Sequence, residues 1–528
     1  MLQVLIVFAV VFSALSLGRR LFTSTPSLGP LPPGPPRKLI IGNLTDFPPR
    51  GARQWVFFEK FLHQYGPIAS LTTFGQIIIL INNAHVAIDL MERKSAHSRT
   101  IPDAPFAEMA GWGKSLATAR NMELWKGIRK NIKVEVGTRR LVSRFHSKLD
   151  ISVRRFLVGV LADPDELRAL IRKEATGFML NAAYGYTISP HGRDPMCEIA
   201  QRALGGFEEI FTPGNWLVNF VPILRHVPSW LPGTGFLEKA AEYGHSARQF
   251  TDLPFHFAKH KMAQSSLESS MLSRLLEQQG SYEPGSLEED ILKWSAAEFF
   301  LGGSDTSVSI VTSFFLAMAL YPDVQQKARA ELDQVIGEMT LPKFEHRSSL
   351  PYINAIVKET FRWHPSSPLG APHILERDEI YQGYLIPRGA LLLPNICAIT
   401  QDTSVYHDPR SFKPERFLAS EGHPPEADPA KFVFGFGRRI CPGRFLIDEK
   451  VFLVVALTLA CLDISPKDPH APEPKWQAGL ISHPGPFDVK VVPRSPEHEA
   501  LIRSVEREHP PEASDADDFN QFAFYGDV

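Results

Sequence analysis

The sequence predicts a mainly α chain with a small β region, on three observations. A proline-free helical pattern runs from Ser286 to Tyr321 and stops at Pro322, about 35 residues or roughly 50 Å of helix. Two further proline-free stretches read as helices, Pro351 to Trp363 before Pro365 and Arg444 to Ala460. Strand-like alternation is brief, and clearest at Ile77–Ile81 and Ile380–Ile386. The composition is that of a globular protein, with 44% hydrophobic and 22% charged residues in 528, which excludes collagen-like, low-complexity and largely disordered chains. A formal net charge of −2 lacks the basic excess of a nucleic-acid binder. The four cysteines, Cys197, Cys397, Cys441 and Cys461, are too scattered for a zinc ribbon or a disulfide framework.

Taken in order, the chain opens on an uncharged apolar run, Met1 to Leu17, followed by Gly18, Arg19 and Arg20. Seventeen helical residues span roughly 26 Å, close to the ~27 Å hydrocarbon thickness of an endoplasmic-reticulum bilayer. A cleaved signal peptide carries its positive charge ahead of the apolar run. Here the charge follows, so residues 1–20 read as a retained single-pass anchor with the body on the cytoplasmic side. Residues 21–36 read as a hinge, because Leu31-Pro32-Pro33-Gly34-Pro35-Pro36 is a stiff extended spacer. Residues 37–494 show neither a linker nor a repeat and form one catalytic domain. Residues 495–528 change character: between Glu497 and Asp518 stand eight acidic and two basic residues, which reads as a solvated, disordered tail.

Within the domain, Ser286 is placed to cap the long helix, with Glu289 three residues on as its capping-box partner. Gly302 and Gly303 sit near the middle, each costing about 1 kcal/mol relative to alanine, so the missing side chains must serve packing, a kink or an open space. Asp305 and Thr306 follow directly. Phe299 to Leu301 before them and Val308 and Ile310 after them turn this polar step towards the interior.

The most informative segment is Phe434-Gly435-Phe436-Gly437-Arg438-Arg439-Ile440-Cys441-Pro442-Gly443. Its glycines allow a tight turn and close approach to a flat partner. Arg438, Arg439 and the start of the Arg444 helix favour a thiolate at Cys441. By residue chemistry alone this is either an axial metal ligand or a buried structural cysteine.

The spacing Phe-x-x-Gly-x-Arg-x-Cys-x-Gly resembles the haem-binding loop of the cytochrome P-450 family at every fixed position. Glu359-Thr360-Phe361-Arg362 resembles the family's Glu-x-x-Arg, and Phe412 to Phe417 the segment after it. Gly302 to Ser307 resembles its oxygen-activating stretch and Trp125 to Arg129 its Trp-x-x-x-Arg helix. The anchor and proline hinge are similar to those of microsomal members.

The resemblance implies the P-450 fold, a helix-rich triangular prism around a buried haem b with Cys441 as the axial thiolate metal ligand. It implies propionate contacts from Trp125, Arg129, His373 and Arg439. Asp305 and Thr306 become the catalytic pair that relays protons through an ordered water. Glu359, Arg362 and Arg416 become a buried network that positions the cysteine loop. Phe106, Met109, Phe211, Trp216, Leu217, Ser367–Ala371, Leu480 and Ile481 fall where the family touches substrate. The implied reaction is monooxygenation of an apolar small molecule with O2. Its NADPH-derived electrons come from a separate NADPH–cytochrome P-450 reductase, since the chain shows no dinucleotide or flavin unit. Lys126, Lys130, Lys133, Arg438 and Arg444 are candidates for the reductase's docking patch. The proline-rich style of Phe211 to Phe236 is similar to that of fungal members of secondary metabolism, acting on terpenoids or polyketides. Two other classes stay open: a haem-thiolate isomerase or dehydratase, and a non-enzymatic membrane haem sensor.

Overall fold

The computed structural model describes residues 29–49, 51–98, 102–190, 192–212, 214–264, 268–420, 422, 424–468 and 474–525. The expected membrane anchor, with Arg19 and Arg20, lies outside the described residues. As predicted, helices dominate and the β content is small.

The central helix, Leu287–Leu320, matches its expected bounds. Ser286 Oγ accepts the Glu289 amide at 3.2 Å, while the Glu289 carboxylate takes the amide of Gly285 at 2.7 Å rather than that of Ser286. The helix is apolar nearly all round because neighbours surround it, chiefly the helices Met122–Val136, Leu167–Tyr184, Gly235–Ala263 and Arg444–Cys461. Among the described residues it alone is long and apolar enough to span a membrane; 78% of that window is buried, as in a core helix. Gly303 is a packing glycine, since a Cβ there would stand 2.5 Å from Met179 Sδ, whereas a Cβ on Gly302 would meet nothing within 4 Å.

The main sheet has strands β1 (Ile68–Thr73), β2 (Gln76–Ile81), β3 (His373–Ile374) and β6 (Leu391–Pro394), in the order β1-β2-β6-β3, with β2 and β6 parallel. Between β3 and β6 lies the hairpin of β4 (Glu379–Tyr381) and β5 (Tyr384–Ile386), so the single strand expected at Ile380–Ile386 is in fact two. Gln382 and Gly383, both at positive φ, make the turn between them.

Two boundary expectations are corrected. The proline spacer is not a free hinge from residue 30 onward. Ser70 donates its amide to Pro33 O (2.8 Å) and its hydroxyl to Pro32 O (2.6 Å), and Leu385 N donates to Pro30 O (2.8 Å). Prolines lack the donor but keep the acceptor, so the segment serves the sheet edge as a one-sided partner. Gly34 permits this, since a Cβ there would lie 2.0 Å from Ser70 O.

Nor is the acidic tail disordered. It forms helices Pro496–Arg503, Val505–Glu508 and Ala516–Tyr525. Its charges meet cations distant in sequence: Glu508 pairs with Arg154 at 2.8 Å and Asp515 with Lys261 at 2.8 Å. Phe519 is buried against Tyr186 and Phe257. Composition averaged over the segment hid these few anchoring apolar groups.

Candidate active site

Cys441 sits in a turn fixed at both ends. Its amide donates to Phe434 O at 2.8 Å, and the helix Arg444–Cys461 begins directly after Gly443. Gly435 and Gly437 have φ of +77° and +55°, which only glycine adopts cheaply. At Gly437 a Cβ would also stand 2.4 Å from Ser95 Cβ and 2.5 Å from Met91 O. Arg129 Nη2 donates to Ile440 O (2.8 Å), Arg444 Nη1 to Cys441 O (3.2 Å) and Arg439 Nη1 to Pro372 O.

Cys441 lies deep in the protein, yet part of its surface stays accessible. Burial pushes its thiol up. The Gly443 and Arg444 amides and the charges of Arg129 and Arg444 oppose this without overcoming it. The expected electrostatic partners Arg438 and Arg439 are therefore replaced by Arg129 and Arg444: Arg438 is exposed, and Arg439 turns to Pro372. A coordinated metal ion reverses the balance, because a metal-bound thiol loses its proton outright.

The other expected cofactor contacts are brought together near the loop. Arg129 stacks its guanidinium over Trp125 at 5.1 Å, as the i,i+4 spacing requires. Arg439 is pushed down to about 10 by burial and then by the charge of Arg129. Among the described residues neither arginine has an acidic partner. His373, on β3, is buried, and its Nδ1 has no partner among the described residues; burial and then Arg439 push it down to about 3, so the ring is neutral. Two deep guanidiniums without carboxylates and an orphaned imidazole nitrogen beside a thiol form a donor set that fits a disc carrying iron and two carboxylates.

Behind the loop, the expected charged network is present and larger than three members. Arg362 holds Glu359 through Nε (2.7 Å) and Nη2 (2.8 Å), and Arg416 Nε and the Lys413 amide also donate to Glu359 Oε1. Arg416 continues to Glu426 at 2.7 Å. Phe361, on the same helix, meets Phe434 at 5.3 Å, which links the network to the cysteine loop.

On the central helix, Thr306 Oγ1 donates to Gly302 O at 2.7 Å. Both oxygens of Asp305 are occupied, Oδ1 by Arg172 Nη1 at 3.2 Å and Oδ2 by His483 Nε2 at 2.9 Å. Burial alone would raise this carboxyl, but the His483 hydrogen bond, then the charges of His483 and Arg172, hold it below the usual carboxylate range.

The sequence reading missed Arg172 and His483, and it missed Glu298. This last carboxyl lies one helical turn before Gly302, accepts the Leu116 amide at 3.0 Å and the Ser115 hydroxyl, and is pushed up to about 7 by burial. Of the pocket candidates, Phe106 is fully buried and stacks on Trp216 at 3.7 Å, whereas Leu217 is 56% exposed and faces solvent.

A family model described as Cytochrome P450 matches residues 32–491 of the chain. An O-methylsterigmatocystin oxidoreductase of Aspergillus flavus is 59% identical over 493 residues, covering 93% of each chain. The cytochrome P450 monooxygenase ppsD of Aspergillus oryzae is 42% identical over 495 residues, 92% of this chain and 93% of its own. The cytochrome P450 monooxygenase claR of Ampulloclitocybe clavipes is 40% identical over 494 residues, 92% of this chain and 91% of its own.

Proposed function

Because the chain belongs to the cytochrome P450 family, we propose that it inserts one atom of O2 into a neutral, apolar polyketide or terpenoid of fungal secondary metabolism. Its class is that of the cytochrome P450 monooxygenases, with a haem on a cysteine thiolate, O2 and NADPH-derived electrons. Bound haem supplies the oxygen-activating chemistry, and a thiolate ligand favours O–O cleavage. Cys441 would hold the iron, Arg129, Arg439, Trp125 and His373 would hold the propionates, and Asp305 and Thr306 would hold and pass protons. The observation that carries this reading is the glycine-built turn that presents Cys441 beside two guanidiniums with no acidic partner among the described residues.

Electrons arrive from a separate NADPH–cytochrome P-450 reductase. Support comes from Lys126, Lys130, Lys133 and Arg438, which are exposed and without an ion pair among the described residues. Arg444 leaves this patch, being engaged by Cys441 O and the Phe445 ring. The body rests on the endoplasmic-reticulum membrane. Exposed apolar side chains support this: Leu39 and Trp230 are each 78% exposed, Ile223 64% and Ile40 52%.

The test is a reduced carbon-monoxide difference spectrum on wild type and Cys441→Ser, followed by NADPH consumption with reductase and O-methylsterigmatocystin as first probe. A thiolate-type band that Cys441→Ser abolishes, with consumption tied to product, is the expected result. A pigment unchanged in Cys441→Ser refutes the ligand assignment. The band without consumption on any member of an apolar library favours the sensor, and product formed without NADPH favours the isomerase.

A further inference from the structure

The loop that carries His483 is pinned from several sides. Ser309 Oγ on the central helix donates to Ser482 O (2.5 Å), Ser482 N donates to Ser366 O (2.8 Å), and Ser482 Oγ meets His364 Nε2 (2.7 Å). Arg168 donates to Pro484 O (3.0 Å) and also to Gly485 O. This anchoring aims the imidazole at Asp305, 178 residues away in sequence, on the carboxylate oxygen that Arg172 does not hold.

An acid that must give up protons and take them back is here held by two donors of different kinds. A guanidinium releases no proton at any working pH. His483 can release one. Its other titratable neighbours are Glu208, on the helix Pro195–Phe211, and His364, at the end of the helix Pro351–Trp363. Glu208 lies against the same loop, its Oε1 2.3 Å from where a Cβ on Gly479 would stand, and its carboxyl is pushed up by burial and by Asp305. His364 is buried, stacked on Trp476 and pushed down to about 3, so it stays neutral and takes no part in proton traffic.

We propose that His483 is a positioning residue for Asp305 that also returns a proton to it after each delivery. The proposal rests on the monooxygenase reading above. Each turnover consumes two electrons and two protons, so the acid is refilled from outside. His483 Nε2–H passes its proton to Asp305 Oδ2, which leaves a neutral imidazole and a carboxylic acid. The acid hands the proton on towards Thr306, and the imidazole, 17% exposed, takes one back from solvent. Arg172 keeps the other carboxylate oxygen in place throughout.

His483→Gln keeps an N–H for Asp305 but carries no proton; His483→Phe removes both functions. With reductase and O-methylsterigmatocystin, His483→Gln should lower the ratio of product to NADPH at least fivefold. The lost electrons should appear as hydrogen peroxide, the solvent isotope effect should rise, and the wild-type pH dependence of this ratio should flatten. The spectral substrate dissociation constant and the melting temperature should stay near wild type. Independently of turnover, infrared titration, with the Asp305 band assigned through Asp305→Asn, should show His483→Phe protonating Asp305 about one pH unit or more higher than wild type, the size expected for a lost charge partner. A wild type with no carbon-monoxide band, or one that consumes no NADPH, overturns the monooxygenase reading and this proposal with it. A wild type that passes, with a His483→Gln that couples equally well at every pH, overturns this proposal alone. An unmoved Asp305 band overturns the positioning link.

Discussion

Glu298 offers a test of how the Ser115–Leu116 segment is held against the central helix. Its carboxyl is displaced from 4.5 to about 7 by burial, against the stabilising Ser115 and Leu116 hydrogen bonds. A raised carboxyl favours folding in its protonated form, so this contribution is complete below about pH 4.5 and is lost as pH rises through 7. At 1.36 kcal/mol per pH unit, the full loss is about 3 kcal/mol, of which about 2.5 kcal/mol falls between pH 5 and 8.5. Part of the residue's surface is accessible, so these figures are upper values. Glu298→Gln keeps an acceptor for the Leu116 amide and removes the titration. Urea midpoints of the two holoproteins should converge at pH 5 and separate towards pH 8.5 in favour of the variant. Taking the difference at each pH cancels every other titrating group. Parallel curves across this range would refute the burial argument and leave Glu298 as an ordinary ionised loop anchor.

Glu359→Gln should destabilise the fold by about 3–5 kcal/mol and speed haem loss, because Arg362 is left buried without a carboxylate and Arg416 keeps only Glu426; chemical denaturation and pigment retention check it. Gly437→Ala should cost about 1–3 kcal/mol in overpacking against Ser95 and Met91, besides backbone strain, and lower the fraction of protein with a thiolate-type carbon-monoxide band. Phe519→Ala should cost about 3–5 kcal/mol locally, seen as protease cleavage after residue 494 at concentrations that spare wild type. Neutralising Lys130 and Arg438 together should slow reductase-driven turnover several-fold more than peroxide-driven turnover, and equal losses would remove the docking patch.

What the sequence made legible is what it stores locally. The cysteine loop packs thiol, turn glycines and helix start into ten consecutive residues, so spacing alone carries its geometry. Glu359 and Arg362 are legible for the same reason, being one helical turn apart. Arg172, Asp305 and His483 are not, because their hydrogen bonds close over 133 and 178 residues, and nothing around His483 distinguishes it from an ordinary loop histidine. The hairpin at Gln382-Gly383 was misread because a two-residue turn leaves the alternation of Ile380 to Ile386 unbroken. The tail and the proline spacer were misread through a shared assumption, that a segment unable to make its own core or its own hydrogen bonds stays outside the fold. Both join it by borrowing: the tail's acids take Arg154 and Lys261, and the proline carbonyls take donors from Ser70 and Leu385. Composition measures what a segment can do alone, whereas these ends are held by unspent donors and cations that the domain presents at its surface.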